Sequence, residues 1–137
     1  MVGGAAMAIR RVAVIFDDRA RPETTGVYCR RALEQLVEVA HFRPDELDQV
    51  PRKGFDLYIN IDDGFDYRLP SELRPSVFWA IDTHVNFDSC LRRARGFDLV
   101  FAAQRDGADR LRRAGTGPTG HAVALDHPRF MRDHCFS

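Results

Sequence analysis

Lysine is almost missing from this chain. Of its 20 basic residues 19 are arginine and only Lys53 is lysine, a bias that points to a GC-rich coding sequence rather than to any one site. Net charge is missing too. Twenty acids balance the 20 bases, which argues against general binding to nucleic acid or to an anionic membrane surface. Cysteine is scarce: Cys29, Cys90 and Cys135 form no CxxC pair and leave one unpaired. That count excludes a disulfide scaffold and a four-cysteine zinc site, and a reducing, cytoplasmic compartment is expected. No apolar run approaches the ~20 residues that span a bilayer. Arg10 and Arg11 interrupt what would be the apolar part of a signal peptide, so residues 1–9 read as a flexible tail. GxGxxG, the P-loop, GxSxG and HExxH are all absent, which removes the dinucleotide fingerprint and three common catalytic signatures.

What remains is a 137-residue chain, 45% hydrophobic. That is enough for one packed domain, or half of a two-domain enzyme, and too apolar for disorder. Val12–Phe16 is a short, continuously apolar run ending in Asp17-Asp18, the pattern of a parallel strand buried on both faces. Thr24 or Thr25 can cap a helix running to about Glu38, with Val27, Ala32, Leu33, Leu36 and Val37 on one face. Further strands are expected at Val39–Phe42, Phe55–Ile61, Ser76–Ile81, Phe97–Ala102 and His121–Leu125. Helices are expected at Phe87–Arg95 and Asp106–Ala114, the second stopped by Gly115. Residues 44–54 allow at most a short helical turn, and Pro70 and Pro75 argue against a helix over 65–75. Strands alternating with helices predict an α/β fold, a Rossmann-like, doubly wound parallel sheet of five to six strands spanning residues 10–128. The segments Gly54-Phe55-Asp56-Leu57 and Gly96-Phe97-Asp98-Leu99 match each other and read as the same local job, a turn glycine leading into a buried strand, rather than a true repeat.

Open parallel sheets bind ligands at the carboxyl ends of their strands. Those ends hold Asp17, Asp18, Asp62, Asp63, Asp82, Thr83, His84, Gln104, Arg105, Asp126 and His127. Loops are polar simply because they are solvated, yet three strands ending in aspartate exceed what solvation requires. Asp82-Thr83-His84 is the best local candidate for chemistry, because a histidine beside carboxylates can take a proton from a hydroxyl. The paired acids could hold a divalent cation, but no third ligand stands at a fixed spacing. Trp79 reads as core rather than as a ligand platform. Arg92, Arg93, Arg95, Arg110, Arg112 and Arg113 read as a solvated helix face. A phospho-acceptor receiver domain shares the size, the acids after the first and third strands and a threonine after the fourth. It lacks the expected lysine after the fifth strand, where Gln104-Arg105 stand, and 65–75 leaves no room for its helix.

Four segments, Arg21–Gly26, Phe55–Gly64, Phe78-Trp79-Ala80-Ile81-Asp82-Thr83-His84 and Phe97–Ala108, resemble the amino-terminal half of bacterial CgeB-like, spore-maturation-type glycosyltransferases. The resemblance covers about residues 10–130. It implies one lobe of a GT-B architecture, in which two Rossmann-like lobes face each other across a cleft, the amino-terminal one toward the acceptor and the carboxy-terminal one carrying most of the nucleotide-sugar site. It implies a sugar moved from a nucleotide-sugar donor, as co-substrate, to an acceptor hydroxyl, with no cofactor and no metal. Asp82 and His84 become the candidate catalytic residues. Asp17, Asp18, Asp62, Asp63, Thr83, Gln104 and Arg105 become the acceptor- or ligand-binding wall. The chain departs from the pattern by stopping at Ser137, where a second lobe would follow; residues 129–137 read as the start of an interlobe segment. The expected partner is therefore a donor lobe in cis or trans, with a homodimer as a further expectation and no catalysis by this chain alone. The alternative reading is a stand-alone ligand- or protein-binding module that keeps the fold without the chemistry.

Overall fold

A computed structural model describes residues 8–20, 24–81, 87–103, 105–115 and 123–124. The elements run β1 (Arg11–Ile15), α1 (Thr25–Glu34), β2 (Glu38–Phe42), a 3-10 helix (Pro44–Gln49), β3 (Leu57–Ile61), β4 (Ser76–Ala80), α2 (Phe87–Ala94), β5 (Leu99–Ala102), α3 (Arg105–Arg113) and β6 (Val123–Ala124). The six strands are all parallel, in the order β2-β1-β3-β4-β5-β6. This is a Rossmann-like α/β sheet of the 2-1-3-4-5 kind, in which the chain first steps outward to β2 and then returns past β1 to build the other side. The expected tails at 1–9 and 129–137 fall almost wholly outside the described residues, as do Asp126 and His127.

Parallel pairing explains the sequence pattern. β1 lies between β2 and β3, with Val14 opposite His41 on one side and Ile59 on the other. Both its faces are therefore covered, and Val12, Ala13, Val14 and Ile15 are all buried. Each such valine or isoleucine contributes roughly 1.5–3 kcal/mol by leaving water. Alternation then divides the core. Val12, Val14 and Phe16 pack with Cys29, Val27 and Leu33 beneath α1. Ala13, Ile15 and Tyr58 face the 3-10 helix and the 65–73 connection through Val50, Leu47 and Leu73. On that same face, Phe78, Ala80, Val100 and Ala102 pack against Cys90 and Ala94 of α2 and Ala108 and Leu111 of α3. Among the described residues α1 alone covers the opposite face, and there Trp79, Leu99 and Phe101 are only half-buried.

Two local features differ from expectation. α1 ends at Glu34 instead of about Glu38. The reason is competition: the Glu38 N–H donates to Arg10 O at 2.9 Å, so the sheet captures Glu38 and Val39 for β2 before the helix can extend. Arg93 does not lie on a solvated face but is buried. Gly26, in the first turn of α1, permits close approach: an added Cβ would sit 2.5 Å from the Phe16 ring.

The twin segments turn out to share a mechanism. Gly54 and Gly96 both adopt positive φ, which an L side chain resists. The aspartate two residues on then stitches the amino end of the neighbouring strand. Asp56 accepts the N–H groups of Arg10 and Arg11, each at 2.9 Å, at the start of β1. Asp98 accepts the Ser76 N–H at 2.8 Å at the start of β4 and also pairs with Arg74. The two N–H donors hold the Asp56 carboxyl below the usual carboxylate range.

Candidate functional site

The order of the strands places a switch point between β1 and β3, where ligands of open α/β sheets bind beyond the carboxyl ends. Asp17 and Asp18 leave β1 there, and Asp62 and Asp63 leave β3. One hydrogen bond closes the junction: the Asp17 N–H donates to Asp63 Oδ2 at 2.8 Å. Tyr67 Oη donates to the same oxygen at 2.8 Å and accepts from Asn60 Nδ2, whose other contact is Ile15 O at 2.9 Å. Burial first, and then the Asp63 charge, push the Tyr67 hydroxyl far above its ordinary range, so it stays protonated and donating.

Beneath this junction lies an ion-pair triad. Asp62 and Asp63 expose 7% and 5% of their side chains and Arg93 only 2%. Arg93 Nη1 donates to Asp62 Oδ1 at 2.8 Å, and Nη2 lies 3.7 Å from Asp63 Oδ1. Its guanidinium is flanked by the Tyr67 and Phe78 rings, with centroids 4.9 and 4.8 Å away. Asp62 Oδ2 also accepts the Ile81 N–H at 3.2 Å and faces Cys90 Sγ at 3.6 Å. The Gly64 and Phe65 N–H groups close the turn on Asp62 and Asp63. One buried arginine from α2 thus fixes the exits of both β3 and β4.

A second cluster lies at the edge strand. Arg43 donates to Asp18 through Nε at 2.7 Å, and this bond holds the Asp18 carboxyl below its usual range despite partial burial. His41 is buried, with its ring 4.2 Å from that of Phe16. Its Nε2 lies 2.9 Å from Phe16 O, so Nε2 carries the proton and Nδ1 accepts from Arg30 Nη1 at 3.3 Å. Burial pushes the imidazole below its ordinary range, although Asp18 stands 3.8 Å away.

Of the predicted site residues, Asp17, Asp18, Asp62 and Asp63 come together at the switch point. Arg105 opens α3 beyond β5, two strands from β3 and so about 10 Å to the side. Asp82, Thr83, His84 and Gln104 lie outside the described residues. The four described carboxylates are all engaged: Asp18, the most open, pairs with Arg43, and Asp17 accepts the Ala20 N–H at 2.9 Å and faces Arg19 at 3.6 Å. They form a fixed wall. A receiver-type phosphate acceptor needs an accessible acid after β3, and the burial of Asp62 and Asp63 against Arg93 argues against that reading. Among the described residues no three His, Cys, Asp or Glu side chains group as a metal site requires.

Sequence reasoning missed Arg93, Tyr67, His41 and Arg43. A signal for Arg93 was present: it stands three residues after Cys90 and four before Phe97, both buried, which places it on the inward face of α2. Comparison of the chain with protein-family models, curated proteins and solved structures returns no match. No helix among the described residues is long and apolar enough to cross a membrane.

Proposed function

We propose that this chain is the acceptor-side lobe of a glycosyltransferase, a Rossmann-like unit that positions an acceptor hydroxyl for attack on a nucleotide sugar held by a second lobe. The observation that carries the reading is the anchored exit of β4. The Ile81 N–H is tied to buried Asp62, and Asp82-Thr83-His84 follows directly in the sequence. General-base catalysis gains when the backbone that leads to its proton acceptor is fixed, and Ile81 is so fixed. The sequence resemblance to CgeB-like enzymes supports the same assignment, with Asp82 and His84 in the catalytic roles and Asp17, Asp18, Asp62 and Asp63 as wall.

Chemistry in such an enzyme requires a second lobe to enclose the donor and exclude water. The test is to read the source DNA past codon 137 in all frames, join any second Rossmann-like lobe to this one, and measure release of nucleoside diphosphate from UDP-glucose and GDP-mannose. His84→Asn and Asp82→Asn should each lower turnover by about two orders of magnitude or more, the usual contribution of a general base. Turnover unchanged in both variants refutes the assignment. The engagement of all four described carboxylates favours a second reading, a binding module without chemistry. That reading holds if no second lobe is encoded and a nucleotide sugar leaves the thermal stability of this chain unchanged.

A further inference from the structure

His41, on edge strand β2, is a buried titratable group that the proposed chemistry does not use. It exposes only 7% of its side chain and stands among charged groups from several elements. Arg30 reaches it from α1, Asp18 from the loop after β1, and Arg43 from just beyond its own strand. Glu34 pairs with Arg30 at 3.2 Å, and Glu46 of the 3-10 helix stands 4.0 Å from Arg43. The imidazole lies against the Phe16 ring.

The hydrogen bonds fix where a further proton can add. A carbonyl oxygen only accepts, so the 2.9 Å contact with Phe16 O requires the hydrogen on Nε2. Nδ1 of the neutral ring is then a lone pair, and it accepts from Arg30 Nη1 at 3.3 Å. A second proton can bind only at Nδ1, where it meets a guanidinium that has no acceptor to offer. Asp18 Oδ2 lies 3.8 Å from the same nitrogen and is the one carboxylate in reach among the described residues. That oxygen is loosely held. Arg43 Nε makes its 2.7 Å bond to Oδ1, while Arg43 Nη2 lies 3.5 Å from Oδ2. A shift of about 1 Å closes the gap between Nδ1 and Oδ2 to a charge-assisted hydrogen bond, and Oδ1 keeps Arg43. Arg30, once released, keeps Glu34. Both arrangements leave each of these charges with a partner.

We infer that His41 is a proton-operated latch: neutral, it holds α1 to β2 through Arg30, and protonated at Nδ1 it lets Arg30 go and takes Asp18, tying β2 to the exit of β1. Asp18 belongs to the acidic wall at the switch point, so the proton changes the hydrogen bonding of that wall from the edge of the sheet. The latch does not depend on the glycosyltransferase reading. Burial opposes the added charge, so the exchange takes place on the acid side of the ordinary histidine value of 6.5.

The test is an NMR titration of the full chain from about pH 7.5 to about pH 4.5. It follows the His41 ring nitrogens, the Arg30 side-chain nitrogens and the Asp18 carboxyl carbon. Asp18 itself ionises below its usual value of 3.8, so over this range its carbon reports the partner and not its own proton. The ring should be the Nε2–H tautomer at the start. All three groups should then move with one shared midpoint below 6.5. Asp18→Asn should lower the His41 midpoint and Arg30→Gln should raise it, each by about half a pH unit or more, because the first removes an attracting charge and the second a repelling one. An Nδ1–H tautomer at neutral pH overturns the inference. So does a ring that titrates while Asp18 and Arg30 stay still, or an Arg30→Gln midpoint equal to that of the parent. Unfolding before the ring has taken its proton overturns it as well.

Discussion

Replacing Arg93 by methionine tests whether the carboxyl edge is built on a desolvated ion pair. Methionine keeps an unbranched apolar stem between the Tyr67 and Phe78 rings and removes only the charge. At an effective dielectric of 20, two unit charges about 4 Å apart attract by about 4 kcal/mol, and the 2.8 Å Arg93–Asp62 contact is of that order. Asp62 and Asp63 would then be left buried without a cation, and breaking a buried pair from one side costs roughly 3–5 kcal/mol. For a chain of 137 residues, that is a fall in melting temperature of about 10–15 °C. Urea unfolding followed by tryptophan fluorescence reads the loss directly, since Trp79, the single tryptophan, lies on β4, whose exit the triad holds. Adding Asp62→Asn to Arg93→Met removes one stranded charge and should recover about 1–3 kcal/mol of coupling energy. The reasoning fails if Arg93→Met unfolds within about 1 kcal/mol of the parent with an unchanged m-value, or if the two substitutions are additive.

Four further outcomes are expected. Gly26→Ala would gain about 1 kcal/mol of helix propensity, but its Cβ meets the Phe16 ring at 2.5–2.8 Å. That ring is buried beside His41, so overpacking of roughly 1–3 kcal/mol prevails and thermal unfolding should show net destabilisation. His41 has its folded-state pKa depressed by burial, so the unfolded chain takes up the proton first as pH falls below about 6.5. The parent should lose stability from pH 7 toward 5, and His41→Gln should flatten that slope, measured as the denaturation midpoint at each pH. Asp98→Ala should cost about 1–2 kcal/mol through the lost Ser76 N–H bond. The contribution of Asp56, whose pKa is lowered by its two N–H donors, is present above the usual aspartate range and disappears on acidification below it. Asp56→Ala should therefore differ from the parent at pH 7 and converge on it near pH 2, which acid unfolding curves will show.

The sheet was legible because parallel strands, buried on both faces, must be written as short apolar runs, and Val12–Phe16 is such a run. The switch-point acids were legible by position alone. Their state was not, because it depends on partners distant in sequence: Arg93 lies 31 residues from Asp62, and Arg43 lies 25 from Asp18. Reading the helix arginines as one solvated class hid the single inward one, which differs from Arg92 only in its angle around α2. The end of α1 was missed for a related reason. Helix propensity is local, whereas the competing bond to Arg10 exists only once the sheet has formed.

The paired glycine–phenylalanine–aspartate–leucine segments bear on the order of assembly. Each aspartate reaches back to a strand made earlier: Asp56 to the start of β1, and Asp98 to the start of β4. A strand leaving the ribosome thus brings with it the clip that sets its predecessor in line, and no clip waits on chain yet to be synthesised beyond its own strand. The sheet can zip outward from β1 in the direction of synthesis, each joint locking as the next arrives, so a pause once Ile61 or Ala102 has emerged would leave a registered pair of strands rather than a loose edge.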